Sequence, residues 1–267
     1  MSVIKKNAPG SSELLMGNEA IARGALEAGI QFAAAYPGNP SSEISGSLSE
    51  VAEEMGIYVE WSVNEKVALE AATSASFSGL RALSAMKQNG VNVASDFILN
   101  LNLSGVGTGG LVLVAADDPG AISSTNEEDS RFIAKLGDLP LLEPATFQEA
   151  KDMTRWAFEL SEAINSLVVL RSVSRISHAR GNVILGELPR EKRTARYDTS
   201  KIFIPVSAPL RHLALHMKLN KVREMYESSP FNWYSGPEKP ELLMITSGSG
   251  WFYSLEAVKT LDVKDHV

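Results

Sequence analysis

The chain has 267 residues, 44% hydrophobic and 21% charged, which is enough for one large domain, or one domain and part of another. Its net charge of −7 argues against nucleic-acid binding, which needs a basic face. It contains no cysteine, so disulfides, thiolate nucleophiles and cysteine-ligated iron–sulfur clusters are excluded from this sequence, and a reducing, cytoplasmic setting is expected.

Strand and helix patterns alternate, which predicts an α/β fold: an open, mostly parallel sheet with helices on both faces. Asn18 can cap a first helix carrying Ile21, Ala22, Ala25 and Leu26 and ending at Gly29. Phe32 to Tyr36 read as a buried strand stopped by Pro37-Gly38-Asn39-Pro40. Ser41 or Ser42 starts a helix with Ile44, Leu48 and Val51, ending near Gly56. A short strand with Ile57, Val59 and Trp61 leads into an alanine-rich helix with Glu65 at its mouth. Residues 81–86 predict a strand and 91–101 a helix. Residues 111–116, a continuous apolar run between Gly109-Gly110 and Asp117-Asp118-Pro119, predict a central strand.

Further on, helices are predicted at 124–136 and 147–162 and a buried strand at 167–170. Polar, proline-punctuated chain follows to about Pro209, then a helix over 210–226. Residues 241–250 read as a new strand and turn followed by a helix. A unit that begins this way and then stops cannot bury its own core, so a truncated chain or a completing partner is expected. No run of about 18 apolar residues predicts a membrane span, and the first residues lack the apolar core of a signal peptide. The basic run Arg190-Glu191-Lys192-Arg193-Thr194-Ala195-Arg196 reads as a solvated connector in preference to a binding patch.

Glu65 carries two readings. An acid at the mouth of a helix with small side chains can be desolvated by a neighbouring surface, which raises its pKa toward proton-transfer work. Ser62-Val63-Asn64-Glu65 also fits a capping box, the serine bonding forward and the glutamate back. Ser124-Thr125-Asn126-Glu127 is a second such match. Gly105-Val106-Gly107-Thr108-Gly109-Gly110 matches G-x-G-x-x-G, but it precedes a strand, whereas a dinucleotide fingerprint follows one. A close backbone approach or a flexible lead-in fits better than a nucleotide site. Asp117-Asp118 could hold a metal, although adjacent side chains diverge and a turn or cap is favoured. His212 and His216 lie one helical turn apart without a third ligand and read as a surface pair. His178-Ala179-Arg180-Gly181 is either an anion cradle or a loop.

Six segments together resemble one family. They are the loop Tyr36-Pro37-Gly38-Asn39-Pro40-Ser41-Ser42-Glu43; Asn64-Glu65-Lys66-Val67-Ala68-Leu69-Glu70; Met86-Lys87-Gln88-Asn89-Gly90-Val91-Asn92-Val93-Ala94-Ser95-Asp96; Ala116-Asp117-Asp118-Pro119; the stretch from Ser123 to Arg131; and Ser177-His178-Ala179-Arg180-Gly181. In this order they resemble the 2-oxoacid:ferredoxin oxidoreductases, most closely the alpha subunits of the indolepyruvate type, over residues 11 to about 190.

The resemblance implies that residues 1–190 form the pyrimidine-binding domain of a thiamine-diphosphate enzyme, 191–240 a connector with one helix, and 241–267 the incomplete beginning of a second α/β domain. It implies oxidative decarboxylation of a 2-oxoacid to an acyl-CoA. Glu65 would bond the aminopyrimidine N1′ and favour the tautomer that activates the cofactor, which itself supplies the electron sink. Pro37, Gly38 and Asn92 would also contact the cofactor, and Tyr36, Asn39, Pro40 and Ser41 the substrate. Asn39 stands where the family usually has threonine, so the identity of the 2-oxoacid is left open. No Gly-Asp-Gly segment for Mg²⁺ and the diphosphate is present. That segment and the iron–sulfur clusters are therefore expected on partner subunits or a missing segment, with coenzyme A and ferredoxin as further partners. The alternative is a non-catalytic truncated domain acting as a binding or assembly module.

Overall fold

The computed structural model describes residues 2–199 and 207–267. After a 3-10 turn at Val3–Lys5, the elements are β1 (Ser12–Met16), α1 (Gly17–Glu27), β2 (Phe32–Ala35), α2 (Ser42–Met55), β3 (Tyr58–Trp61), α3 (Glu65–Phe77) and β4 (Ala82–Lys87). Next come α4 (Gln88–Val93), α5 (Ser95–Ser104), β5 (Leu111–Asp117), α6 (Ser130–Leu136), β6 (Leu141–Leu142) and α7 (Phe147–Ile164). The remainder is β7 (Val168–Val173), α8 (Ser174–His178), β8 (Arg180–Ile184), α9 (Ala208–Glu227) and α10 (Gly250–Leu261).

Six strands form one sheet in the order β3-β2-β4-β5-β7-β6, and every ladder in it is parallel. The alternation of side chains along each strand divides the interior in two. On one face Leu83, Ala85, Val112, Val114, Val168 and Leu170 pack with apolar residues of α1, α2 and α7. On the other, Met86, Leu111, Leu113, Ala115 and Val169 pack with residues of α3 and α5. The run predicted as the central strand is β5, buried along its whole length between β4 and β7.

Several sequence expectations need correction. Asn18 does not cap α1; it is buried in the first turn and donates to the carbonyl of Pro40 and to Glu43, tying α1 to the loop after β2. The helix expected at 91–101 is two helices that meet at Ala94, and the first begins directly at the end of β4. The helix expected at 124–136 begins at Ser130, because Asp129 is its N-cap and accepts from the Arg131 N–H. Ser124 and Glu127 form no capping box; Glu127 accepts from the Gly120 N–H instead.

The stretch expected to be irregular after 170 contains α8 and β8. β8 pairs antiparallel with β1 in a separate two-stranded sheet. The expected strand near 242–246 has no ladder: Leu242, Leu243 and Ile245 are exposed, and α10 buries no residue. The basic connector is exposed yet docked, with Arg193 exchanging backbone hydrogen bonds with the Gln31 amide and bonding Glu162.

Candidate functional site

Parallel strands gather their carboxyl ends on one rim, the edge where open α/β sheets bind ligands. That rim carries the loop 36–41 after β2, Glu65 after β3, Lys87 and α4 after β4, and Asp117 after β5.

Asn64 is the N-cap of α3, and its side chain accepts from the Val67 N–H at 2.9 Å. The capping box expected from Ser62 is therefore absent: Ser62 donates its hydroxyl to Glu60 at 2.8 Å. Glu65 occupies the first position of the helix instead of the third. Freed from capping, its side chain is buried, with 8% exposure, and has no hydrogen-bond or ion-pair partner among the described residues. It lies against α4: a Cβ built on Gly90 would stand 2.5 Å from the Glu65 Cγ and 2.7 Å from Oε1. Only a residue without a side chain leaves room for the carboxyl.

The loop after β2 closes on itself. The Gly38 carbonyl accepts from the Ser41 hydroxyl at 2.7 Å, and the Gly38 N–H donates to Ser42 Oγ at 2.9 Å. The Asn39–Pro40 peptide is cis. Pro40 and Ser41 are buried and shape the loop, whereas Tyr36, Pro37 and Asn39 face outward. The stem of Lys87 runs along Gly38.

Asn92 is exposed, and its amide lies 3.5 Å from Glu128. At about 100° per residue it stands on the opposite side of α4 from Gly90, so it faces away from Glu65. With Gln88, Ser130 and Phe132 it lines a cleft of about 290 Å³ between α4 and α6. Gln88 is buried, and both of its amide atoms lack a partner among the described residues. A larger cavity of about 400 Å³, walled by Trp156, Tyr226, Phe231 and Trp251, contains none of the predicted site residues.

The paired aspartates organise the loop that leads to α6. Asp117 accepts from the N–H and hydroxyl of Ser130 and from Arg171, which also bonds Glu143. Burial pushes the Asp118 carboxyl up, but hydrogen bonds from the Ser174 hydroxyl and the Ser123 N–H outweigh it and hold the pKa at about 2. These bonds bear out the turn-and-cap reading of the pair. The Gly105–Gly110 run is a packing feature: a Cβ on Gly109 would meet the Leu80 carbonyl oxygen at 2.0 Å. His212 and His216 face each other at 2.9 Å on α9, and His178 lies 3.6 Å from Glu43.

A parallel sheet with helices on both faces and an unpartnered acid on its carboxyl rim places the chain among the open α/β domains. The family model described as "Pyruvate flavodoxin/ferredoxin oxidoreductase, thiamine diP-bdg" matches residues 23–203, and the chain belongs to that family. Among curated proteins it is similar to the indolepyruvate oxidoreductase subunit IorA of Pyrococcus abyssi, with 48% identity over 96% of this chain and 40% of the relative. It is also 41% identical to the Archaeoglobus fulgidus IorA subunit, over 97% of this chain and 43% of that protein. The chain thus spans about two fifths of the length of these relatives. The 2-oxoglutarate:ferredoxin oxidoreductase from Magnetococcus marinus, solved with 2-oxoglutarate, coenzyme A and succinyl-CoA bound, shares the fold. Its TM-score is 0.76 at 16% identity, over 95% of this chain and 52% of that one. No helix among the described residues is long and apolar enough to cross a membrane.

Gly90, Lys87 and Gln88 were not singled out as site residues by the sequence. All three lie in the segment that carried the family resemblance, but periodicity began the helix after them.

Proposed function

We propose that this chain is the pyrimidine-binding part of a cytoplasmic, thiamine-diphosphate-dependent 2-oxoacid:ferredoxin oxidoreductase of the indolepyruvate or arylpyruvate type. The observation that carries this reading is the Glu65 carboxyl, buried on the rim against Gly90 with no partner among the described residues. A carboxyl with so little exposure and no partner among the described residues is open at the rim to a ligand that completes its hydrogen bonding. The aminopyrimidine of thiamine diphosphate is such a partner, because its N1′ can share a proton with the carboxyl, so the residues present fit the group. The relatives' printed names, indolepyruvate oxidoreductase subunits, support the substrate class.

In this reading Glu65 holds the proton shared with N1′ of the aminopyrimidine, and its low exposure keeps water from competing for that bond. Bound thiamine diphosphate supplies the electron sink for loss of CO₂ from the 2-oxoacid. Pro37 and Gly38 form the wall of the loop beside the cofactor. Tyr36 and Asn39 are the exposed loop side chains that meet the substrate, while Pro40 and Ser41 fix the loop's shape. Asn92 acts from the α4–α6 cleft. We assign the Mg²⁺–diphosphate segment, the iron–sulfur clusters and the coenzyme A and ferredoxin contacts to other polypeptide segments, since this sequence has no cysteine and no Gly-Asp-Gly.

The test is reconstitution with the accompanying chains, thiamine diphosphate and Mg²⁺. Glu65→Gln should remove most 2-oxoacid-dependent dye reduction and weaken cofactor binding measured by calorimetry. Wild-type values in both assays would overturn the role.

A further inference from the structure

Lys87 is the last residue of β4 and stands on the same rim as the loop after β2. Parallel register places Ala35 beside Ala85, so two residues further on Lys87 is level with Pro37 and Gly38. A Cβ on Gly38 would lie 3.0 Å from the Lys87 Cδ and 3.1 Å from its Cγ. The absence of a side chain at Gly38 is what seats the lysine stem along the loop. The ammonium at the end of that stem has no hydrogen-bond or carboxylate partner among the described residues.

None of the other charged groups on this rim forms an ion pair with the Lys87 ammonium among the described residues. Glu43 accepts from Asn18 and faces His178. Asp117 is taken by Ser130 and Arg171, and Asp118 by Ser174 and Ser123. Glu65 is turned against Gly90 and makes no ion pair. A half-buried cation thus sits beside the loop that the functional reading gives to the substrate, with its charge uncommitted.

We propose that Lys87 binds the carboxylate of the 2-oxoacid substrate. The inference rests on the functional reading above and adds a residue to it. The chemistry fits: a 2-oxoacid carries one anionic group, and a lysine ammonium is a compact charge on a flexible stem that can follow that group. The role is binding, not catalysis. The carboxylate is the group that leaves as neutral CO₂, so a cation on it stabilises bound substrate more than the transition state and acts through KM.

The experiment uses the complex isolated with its accompanying chains, loaded with thiamine diphosphate and Mg²⁺, and phenylpyruvate as the probe. Lys87→Gln should raise the KM for phenylpyruvate ~10- to 100-fold, the loss expected for one charge-assisted bond, while kcat does not fall. Lys87→Arg should recover most of the affinity. Inhibition by the neutral amide of phenylpyruvate should be the same in wild type and Lys87→Gln, and KM in the variant should lose its dependence on salt. Gly38→Ala, which displaces the stem, should raise KM in the same direction and keeps the question open to test if Lys87→Gln does not assemble. An unchanged KM for phenylpyruvate overturns the proposal. So does a loss confined to thiamine diphosphate or coenzyme A affinity, since the ammonium would then serve a phosphate. A full Glu65→Gln effect beside an unchanged Lys87→Gln KM overturns only the lysine assignment. No effect of Glu65→Gln overturns the functional reading itself.

Discussion

The Glu65 carboxyl occupies the space that a side chain at residue 90 would need, with only 2.5 Å between the Glu65 Cγ and a Cβ on Gly90. Two helices from successive strand crossovers meet at that point, α3 through its first residue and α4 through its one glycine.

Gly90→Ala separates stability from function. In a helix, alanine is ordinarily better than glycine by about 1 kcal/mol, so the domain should stay folded. The new methyl must drive the carboxyl out of its seat. Thiamine diphosphate affinity of the reconstituted complex should fall ~10-fold or more, for loss of one charge-assisted bond, while the melting temperature of the domain moves by no more than ~5 °C. Intact cofactor affinity in a folded variant would contradict the seat described here.

The start of α3 is held by Asn64 and not by Ser62. Asn64→Ala should therefore cost about 1 kcal/mol in urea unfolding, the usual price of a lost N-cap bond. Ser62→Ala should change stability by less than half of that. Equal losses in the two variants would restore the capping box.

Asp118 predicts an acid limb. Its folded pKa, about 2, lies below the ordinary carboxylate value of 3.8. A depressed folded pKa contributes stability above the unfolded pKa and loses it as pH falls through the folded one. Asp118 should therefore support the fold fully at neutral pH and progressively less between about pH 4 and pH 2. Asp118→Asn should lower the melting temperature at pH 7 and flatten its fall on acidification. A parallel acid profile in variant and wild type would show that the hydrogen bonds from Ser174 and Ser123 do not set this limb.

Arg23 is a structural cation. Fully buried, it donates to Glu27 and to the carbonyls of Ile4, Lys6 and Gly186, and Lys151 bonds the same glutamate. Arg23→Met removes the donor from three carbonyls and one of the two cations that face Glu27. We expect a loss of about 3–5 kcal/mol in denaturant unfolding, as for other broken buried pairs. A loss under 1 kcal/mol would mean that Lys151 and the Gly186 N–H satisfy Glu27 without the arginine.

β2, β4, β5 and β7 were readable from the chain because they are short apolar runs whose residues meet the core on both faces. β1 and β8 were not, since they pair residues as far apart as Ser12 and Ile184, and their apolar positions are too few to show a period. The start of α6 was misplaced for a related reason. Ser124 and Asp129 are both competent caps, and the choice between them falls to Asp117, whose carboxyl binds Ser130 from a neighbouring strand.

Local chemistry alone determined that an acid follows β3 and that a proline-glycine loop follows β2, because strand ends and breakers are encoded within a few residues. Tertiary structure decided what those groups do. Asn64 took over the helix cap and released Glu65, and strand pairing carried Gly90 to the carboxyl and Lys87 to Gly38. Such contacts join residues on different elements, and no periodicity along one segment contains them, because they exist only once separate strands lie side by side.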